Sequence, residues 1–280
     1  TDAFRRLSYV VGEARMNAPV VIVERDRHGV ATVTLNRPEV NNAYDRRVLQ
    51  ALSDGLAELS SDDALRALVL RGNGRHFQAG VDLKFQSELA AMSEAENKAV
   101  SVLLTGLMRD LNAFPVPTVA LIHGACIGGG TGIAASCDVV IASEDAFFAV
   151  AEVKWGAHAS PIFPQLIAAM GVRHLRRYAA TAERFDALRA KEIGFVHEVC
   201  PVGGLDAALA TIVDSIMLNA PKAVRRSKAL ALEISGLALD DTTVCELAAQ
   251  HAETRRSVEA QEGFSSFVEK RPAAWHPKMG

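Results

Sequence analysis

Twice in this chain a short apolar run of strand type leads straight into a loop built around glycine. The first run is 66–70, followed by Gly72 and Gly74 and then by Arg75-His76-Phe77-Gln78-Ala79-Gly80-Val81-Asp82-Leu83-Lys84. The second is 118–122, followed by His123-Gly124-Ala125-Cys126-Ile127-Gly128-Gly129-Gly130-Thr131-Gly132. Brief apolar runs closed by glycine read as buried strands. Helical patterns separate them, and alternation of strand and helix argues for an α/β fold with a mostly parallel sheet and helices outside it.

The flanking chain fits that plan. Residues 19–24 and 30–35 read as a hairpin turning at His28-Gly29, and Pro38 ends its second arm because proline offers a sheet no donor. Asp45 then precedes the helical stripe Val48, Leu49, Leu52, Leu56 and Leu59. A helix is expected over 93–112, stopped by Pro115-Val116-Pro117, and a further strand over 139–142. From about residue 161 the patterns are helical: 161–170, 173–181, 186–192, 204–218, 221–234 and 239–256. We therefore expect an α/β core over 1–200 and a helical C-terminal region over 201–280, jointed at Gly203-Gly204.

Composition removes several functions. The chain has 280 residues, 49% hydrophobic and 22% charged, with 30 Lys+Arg against 33 Asp+Glu. That is too apolar for a disordered chain and too neutral for a protein that coats nucleic acid. No apolar run is long enough for a membrane span, and Thr1–Ala18 is too charged for a signal peptide, so a cytoplasmic setting is expected. Cys126, Cys137, Cys200 and Cys245 lack metal-ligand spacing, so neither a metal site nor a disulfide framework is expected.

The glycine loops are the chemistry-bearing feature. Loops at the strand C-terminal ends of an α/β sheet form the ligand crevice, and glycine lets main-chain N–H groups approach an anion closely. The second loop lacks the GxGxxG order of a dinucleotide site, and no Gly-Lys-Ser/Thr closes it as in a phosphate loop.

Taken together, the motifs resemble the crotonase, or enoyl-CoA hydratase/isomerase, superfamily. Its pattern of a small residue followed by Ala-Gly-x-Asp-hydrophobic-Lys is matched by Gln78–Lys84. The pattern Gly-small-x-x-Gly-Gly-Gly with a later Cys-Asp is matched by Gly124–Gly130 and Cys137-Asp138. An upstream Arg-Pro-x-x-x-Asn-Ala is matched by Arg37–Ala43. The likeness runs from about residue 19 to the end.

The resemblance implies a core of repeated β-β-α units and a helical C-terminal part that forms a trimer or a dimer of trimers. It also implies an acyl-CoA thioester as substrate, with coenzyme A as part of that substrate and no separate cofactor. The N–H groups of Val81 and Gly129 match the family's oxyanion hole, where two donors hold the carbonyl oxygen of a thioester enolate. Losing one such donor typically costs about 3 kcal/mol.

Family hydratases use two glutamates. The first position is Gly132 here, so that carboxylate is missing; the second is Glu152, between apolar neighbours that should raise its pKa toward a value suited to proton transfer. Three readings follow. A hydratase for a 2-enoyl-CoA is favoured, with a branched or carboxylated acyl group of glutaconyl type, since hydratases of that subgroup resemble this chain in lacking the first acid and over 177–187. A Δ3–Δ2 enoyl-CoA isomerase using Glu152 alone is the alternative, and a catalytically degenerate CoA-binding scaffold is the third. For the CoA moiety the resemblance implies Val40, Ala43, Ala79, Leu83, Lys84 and Gly128, with Phe267 and Lys270 reaching a neighbouring subunit's nucleotide. His158, in the loop after Glu152, is a candidate to orient water. The run Arg173-His174-Leu175-Arg176-Arg177 reads as a solvated helix face.

Overall fold

The computed structural model describes residues 7–10, 18–236 and 241–277. Most of the charged N-terminal stretch, and the start of the helix expected over 239–256, fall outside them. The chain divides into two compact units, one ending at Ala210 and one beginning at Thr211. That boundary falls inside the helix Leu205–Met217, whereas the sequence suggests a joint at Gly203-Gly204. Those glycines form a tight turn, with Gly203 at φ 81°, and the Gly204 carbonyl accepts from Ala208 N, so the turn starts a helix.

The first unit carries strands β1 (Leu7–Val10), β2 (Val21–Arg25), β3 (Val30–Leu35), β4 (Ala67–Gly72), β5 (Thr118–Ile122), β6 (Ala125–Ile127), β7 (Val139–Ser143), β8 (Phe147–Ala149), β9 (Phe185–Asp186) and β10 (Glu198–Cys200). Its helices are α1 (Arg46–Ser60), α2 (Leu83–Ala91), α3 (Glu94–Asn112), α4 (Gly129–Ala135), α5 (Phe163–Thr181) and α6 (Ala187–Glu192), and it holds the first turns of α7 (Leu205–Met217). The main sheet runs β1-β2-β3-β4-β5-β7-β10. The expected hairpin is β2–β3, antiparallel, and every pairing from β3 to β10 is parallel. A second sheet, β6-β8-β9, stands apart from it.

The elements follow from their residues. Side chains of β4 and β5 are buried on both faces, as continuous apolar strands must be. Asp45 caps α1 by accepting from Val48 N at 3.0 Å, and the predicted leucine stripe is its buried face. Ser93 and Glu96 close a reciprocal capping box at the start of α3. Gly171, at φ 75° and ψ 153°, kinks α5 where two separate helices are expected. Asp138 of the Cys-Asp pair is a sheet pin: its carboxylate accepts from Thr118 N and Oγ1 at 2.7 and 2.9 Å, joining the starts of β5 and β7. Cys126 and Cys137 fill core space, while Cys245 is exposed.

The second unit comprises the rest of α7, then α8 (Pro221–Glu233), α9 (Asp241–Thr254) and α10 (Val258–Val268). The Glu259 carboxylate of α10 accepts from the first amides of α8, Lys222 N at 3.0 Å and Ala223 N at 2.9 Å, and so satisfies donors that a helix N-terminus leaves open.

Candidate active site

β4 and β5 lie side by side and parallel, with Leu68, Val69 and Leu70 opposite Thr118, Val119 and Ala120. Both glycine loops therefore leave the same edge of the sheet. They then join directly. Phe77 N donates to His123 O, Gln78 N to Ala125 O and Ile127 N to Gln78 O, all at 2.9–3.0 Å.

The Arg-Pro-x-x-x-Asn-Ala segment is a clasp on the first loop. The buried Arg37 guanidinium donates to Ala43 O at 2.7 Å and Asp82 Oδ2 at 2.8 Å, and lies 3.3 Å from Asp45 Oδ2. Burial alone would raise the Asp82 carboxyl, but hydrogen bonds from Arg37 and from the Lys84 and Phe85 amides outweigh it and hold it below the ordinary range. Asn42, in the left-handed region at φ 56°, accepts from Arg37 N and donates to Asn73 O and His76 O, each at 2.8 Å. Tyr44 continues the clasp: its N–H donates to Gly80 O and its carbonyl accepts from Asp82 N, both at 2.9 Å.

The peptide units that carry Val81 N–H and Gly129 N–H are both fixed from their carbonyl ends. Gly80 O accepts from Tyr44 N at 2.9 Å and from Gln78 Nε2 at 3.0 Å. Gly128 O accepts from Thr131 Oγ1 at 2.6 Å, Thr131 N at 2.9 Å and Gly132 N at 3.4 Å. A trans peptide is planar, so its N–H points away from its carbonyl. Among the described residues neither the Val81 nor the Gly129 N–H has an acceptor. Two preset donors are left free where the loops meet.

Glu152 sits beside them, just after β8. The strand is anchored by Phe148, whose ring packs 5.5 Å from Phe185 and 5.1 Å from Phe195. A methyl group added at Gly128 would lie 2.7 Å from Glu152 Oε1 and 3.8 Å from Gly80 Cα, so the carboxylate and both loops crowd one spot. Glu152 Oε2 is buried and has no hydrogen-bond partner among the described residues. Burial raises the Glu152 pKa above the usual carboxylate value, against the opposing pull of its own amide and that of Ala151.

Two features of this site have no counterpart in the sequence reading. The Tyr44 ring lies against Gly129, where an added Cβ would be 2.6 Å from its Cε1, and its phenol is pushed up to about 12 by burial first and by the Glu152 carboxylate second. Residue 78 is a fully buried glutamine at a place the motif gives to a small residue. That departure was the available signal for Gln78; Tyr44 carried none beyond its place after the Asn-Ala pair. The space at Gly132 is also filled. A Cβ there would meet Ile162 Cγ2 at 2.2 Å, Ile162 Cβ at 2.7 Å and Met108 Sδ at 3.1 Å.

The remaining expected residues divide by position. Ala79 N donates to Asn41 O at 3.1 Å, Ala43 is buried, and Val40 ends a single helical turn over Pro38–Val40. Leu83 is exposed at the head of α2. Lys84 lines an open groove of about 490 Å³ together with Arg46 and Arg47. His158 is exposed. Arg177 pairs with Glu183 at 2.6 Å, and Arg173 and Arg176 are exposed, as a solvated face requires. Phe267 and Lys270 belong to the second unit, where Phe267 is 83% exposed and Lys270 takes φ 54° just past α10.

Comparison with known proteins gives a consistent likeness over most of the chain. A family model described as enoyl-CoA hydratase/isomerase matches residues 25–278. The chain is 31% identical to the short-chain-enoyl-CoA hydratase of Clostridium acetobutylicum, over 90% of this chain and 95% of that one. The crystal structure of an enoyl-CoA hydratase from Shewanella pealeana superposes with a TM-score of 0.88 at 34% identity, covering 91% of this chain and 96% of that one. Pseudomonas aeruginosa AtuE superposes with a TM-score of 0.87 at 33% identity, covering 92% and 100%.

Proposed function

The chain belongs to the enoyl-CoA hydratase/isomerase family as an enzyme of that family, and on this footing we propose that it hydrates a 2-enoyl-CoA through one carboxylate, that of Glu152. The observation that carries the proposal is the buried, unpartnered Oε2 of Glu152 beside two main-chain N–H groups without acceptors. In this reaction the Glu152 carboxylate takes a proton from water as the water oxygen bonds to Cβ. The double-bond electrons move onto the thioester oxygen, where Val81 N–H and Gly129 N–H hold the resulting enolate. Glu152 then returns the proton to Cα and the carbonyl re-forms, so one water is added and nothing is left on the protein. A carboxylate with a raised pKa is suited to both halves, since it must accept and release a proton near neutral pH.

The acyl group is proposed to be branched or carboxylated, of glutaconyl type. The filled space at Gly132 supports this, because a substrate with its own carboxylate makes up for the acid that cannot be housed there. Val40, Ala43, Ala79, Leu83 and Gly128 are proposed to line the coenzyme, with Lys84, Arg46 and Arg47 facing its phosphates. The exposed Phe264, Phe267 and Val268 of α10 support a homo-oligomer, a trimer or a dimer of trimers, since apolar side chains left in water mark an association face. The buried side chains of Cys126 and Cys137, neither of them in a disulfide, suit a reducing, cytoplasmic setting.

The test is direct. Straight, branched and carboxylated 2-enoyl-CoA esters are offered and loss of the conjugated thioester absorbance is followed. Turnover that falls by orders of magnitude in Glu152→Gln, with CoA still bound, is the expected result; no turnover of any ester by the wild-type protein rejects the proposal. The apolar plug at Gly132 favours one second reading, Δ3–Δ2 isomerisation. There Glu152 removes a proton from C2 of a 3-enoyl-CoA and returns it to C4, with no water consumed. Gain of conjugation from a 3-enoyl-CoA, without hydration of the product, selects that reading.

A further inference from the structure

Gln78 has a fully buried side chain at the centre of the site, and its carboxamide is spent on one residue. Its Oε1 accepts from Gly80 N at 2.9 Å and its Nε2 donates to Gly80 O at 3.0 Å. This closes a ring in which both ends of Gly80 are held by one rigid amide, and the orientation of that amide is fixed because an N–H must meet Oε1 and a carbonyl must meet Nε2. Gly80 is at φ 92°, a conformation open to glycine, and Tyr44 N holds its carbonyl from the other side.

The main chain of Gln78 holds the other loop. Its N–H and carbonyl bond to Ala125 O and Ile127 N on either side of Cys126, the strand that runs into Gly128 and Gly129. Gly130 makes the room. A Cβ at that position would stand 2.6 Å from Gln78 Oε1 and 3.1 Å from Gln78 Cβ. One residue therefore touches the peptide that carries the first free N–H and the strand that leads to the second.

We infer that Gln78 is a positioning residue for the oxyanion site: its carboxamide locks the Gly80–Val81 peptide so that Val81 N–H faces the thioester oxygen. The inference rests on the proposed proton-transfer chemistry at that site. It assigns to Gln78 a specific task beyond packing. An enolate oxygen carries more charge than a ground-state carbonyl, so a donor that swings loose lowers the rate of reaction more than it weakens substrate binding.

The full-length protein is compared with Gln78→Met, which keeps the volume and loses both hydrogen bonds, and with Gln78→Glu, which keeps an acceptor for Gly80 N but sets a carboxylate oxygen against Gly80 O. Three readouts are taken: kcat and KM on the ester that the wild type turns over, the near-ultraviolet enolate absorbance of bound acetoacetyl-CoA, and the affinity for free CoA, which has no carbonyl. In both variants kcat is expected to fall roughly tenfold or more, short of the ~10²–10³ of a donor lost outright. KM and free-CoA affinity should stay within about threefold, and the enolate signal should shrink. Should Gln78→Met fail to fold, Gln78→Glu carries the same readouts, and Gly130→Ala, which presses on the carboxamide from the other side, supplies the third. A folded variant with unchanged kcat and an unchanged enolate signal overturns the inference while leaving the proposed reaction standing. A wild-type protein that turns over no 2- or 3-enoyl ester and gives no enolate signal overturns both.

Discussion

Replacing Gly132 by alanine adds one methyl group to a buried helix at the place where a second carboxylate would stand. A Cβ there would lie 2.2 Å from Ile162 Cγ2 and 2.7 Å from Ile162 Cβ. Ile162 is 1% exposed and its branch point is involved, so rotating the side chain does not clear the overlap; the short turn Ser160–Ile162 has to move. Overpacking of this kind costs about 1–3 kcal/mol, and the involvement of Cβ puts this site at the upper end. Alanine in place of glycine in a helix returns about 1 kcal/mol. The net is a loss of roughly 2 kcal/mol, which at about 2–4 °C per kcal/mol for a unit of this size lowers the melting temperature by about 4–8 °C. Differential scanning calorimetry of wild type and variant reads this directly. Trimming Ile162 to alanine in the Gly132→Ala background should cost less than in the wild type, by a coupling of about 0.5–3 kcal/mol. A Gly132→Ala protein that melts at or above the wild-type temperature would refute the claim that the space is occupied, and with it the reason for a one-carboxylate site. Gly132→Glu is expected to be less stable still and to gain no activity, because its carboxylate enters a slot lined by Ile162 and Met108 without a partner.

Glu152→Gln should trade activity for stability. Burial raises the Glu152 pKa in the fold, so the native state favours the proton; that contribution is full below the unfolded value of about 4.3 and is lost as pH rises through the folded value. The variant is therefore expected to melt above the wild type at neutral pH, with the difference vanishing in acid, as paired thermal scans across pH will read. The same shift places the acid limb of wild-type kcat above the usual carboxylate range. Arg37→Met leaves Asp82 without its cation while Asp45 keeps Arg47 at 2.7 Å, and removing one partner of a buried pair costs about 3–5 kcal/mol. Against the upward push of burial, the Arg37 hydrogen bond holds the Asp82 carboxyl below its ordinary value in the wild type, so the stability it supplies is lost as pH falls through that lowered value, and urea midpoints should show a shallower acid loss in the variant. Tyr44→Phe keeps the ring against Gly129 and removes a phenol that stays protonated until about pH 12; the alkaline side of the kcat profile up to about pH 10 should be unchanged, and a lost limb there would show that Tyr44 titrates in the reaction.

Much of this site could be read from the chain because its groups are main-chain amides, and those are announced by glycines and by the strands that precede them. The strands 118–122 and 30–35 and the buried stripe of α1 come from periodicity that packing enforces. β6, β8 and β9 did not show, since strands of two or three residues carry no period. Position 78 passed as part of the matched motif, although a glutamine stands where the motif gives a small residue. A glutamine in an apolar run says that a buried amide must find two partners, but not that both lie on Gly80. The clasp built by Arg37 and Asn42 was visible as a motif, while its task, gripping the first glycine loop through Asp82 and the carbonyls of 73 and 76, depends on contacts distant in sequence. The filling of the Gly132 slot likewise needs Met108 and Ile162, which lie on separate segments.

The fit between the amide of residue 78 and the bare Cα of residue 130 runs in one direction. A Cβ at 130 would stand 2.6 Å from Gln78 Oε1, so the glutamine can keep its place only while position 130 stays glycine, whereas a glycine at 130 leaves position 78 free to be small. The third glycine of the triplet is thus the precondition for a buried amide on the opposite loop.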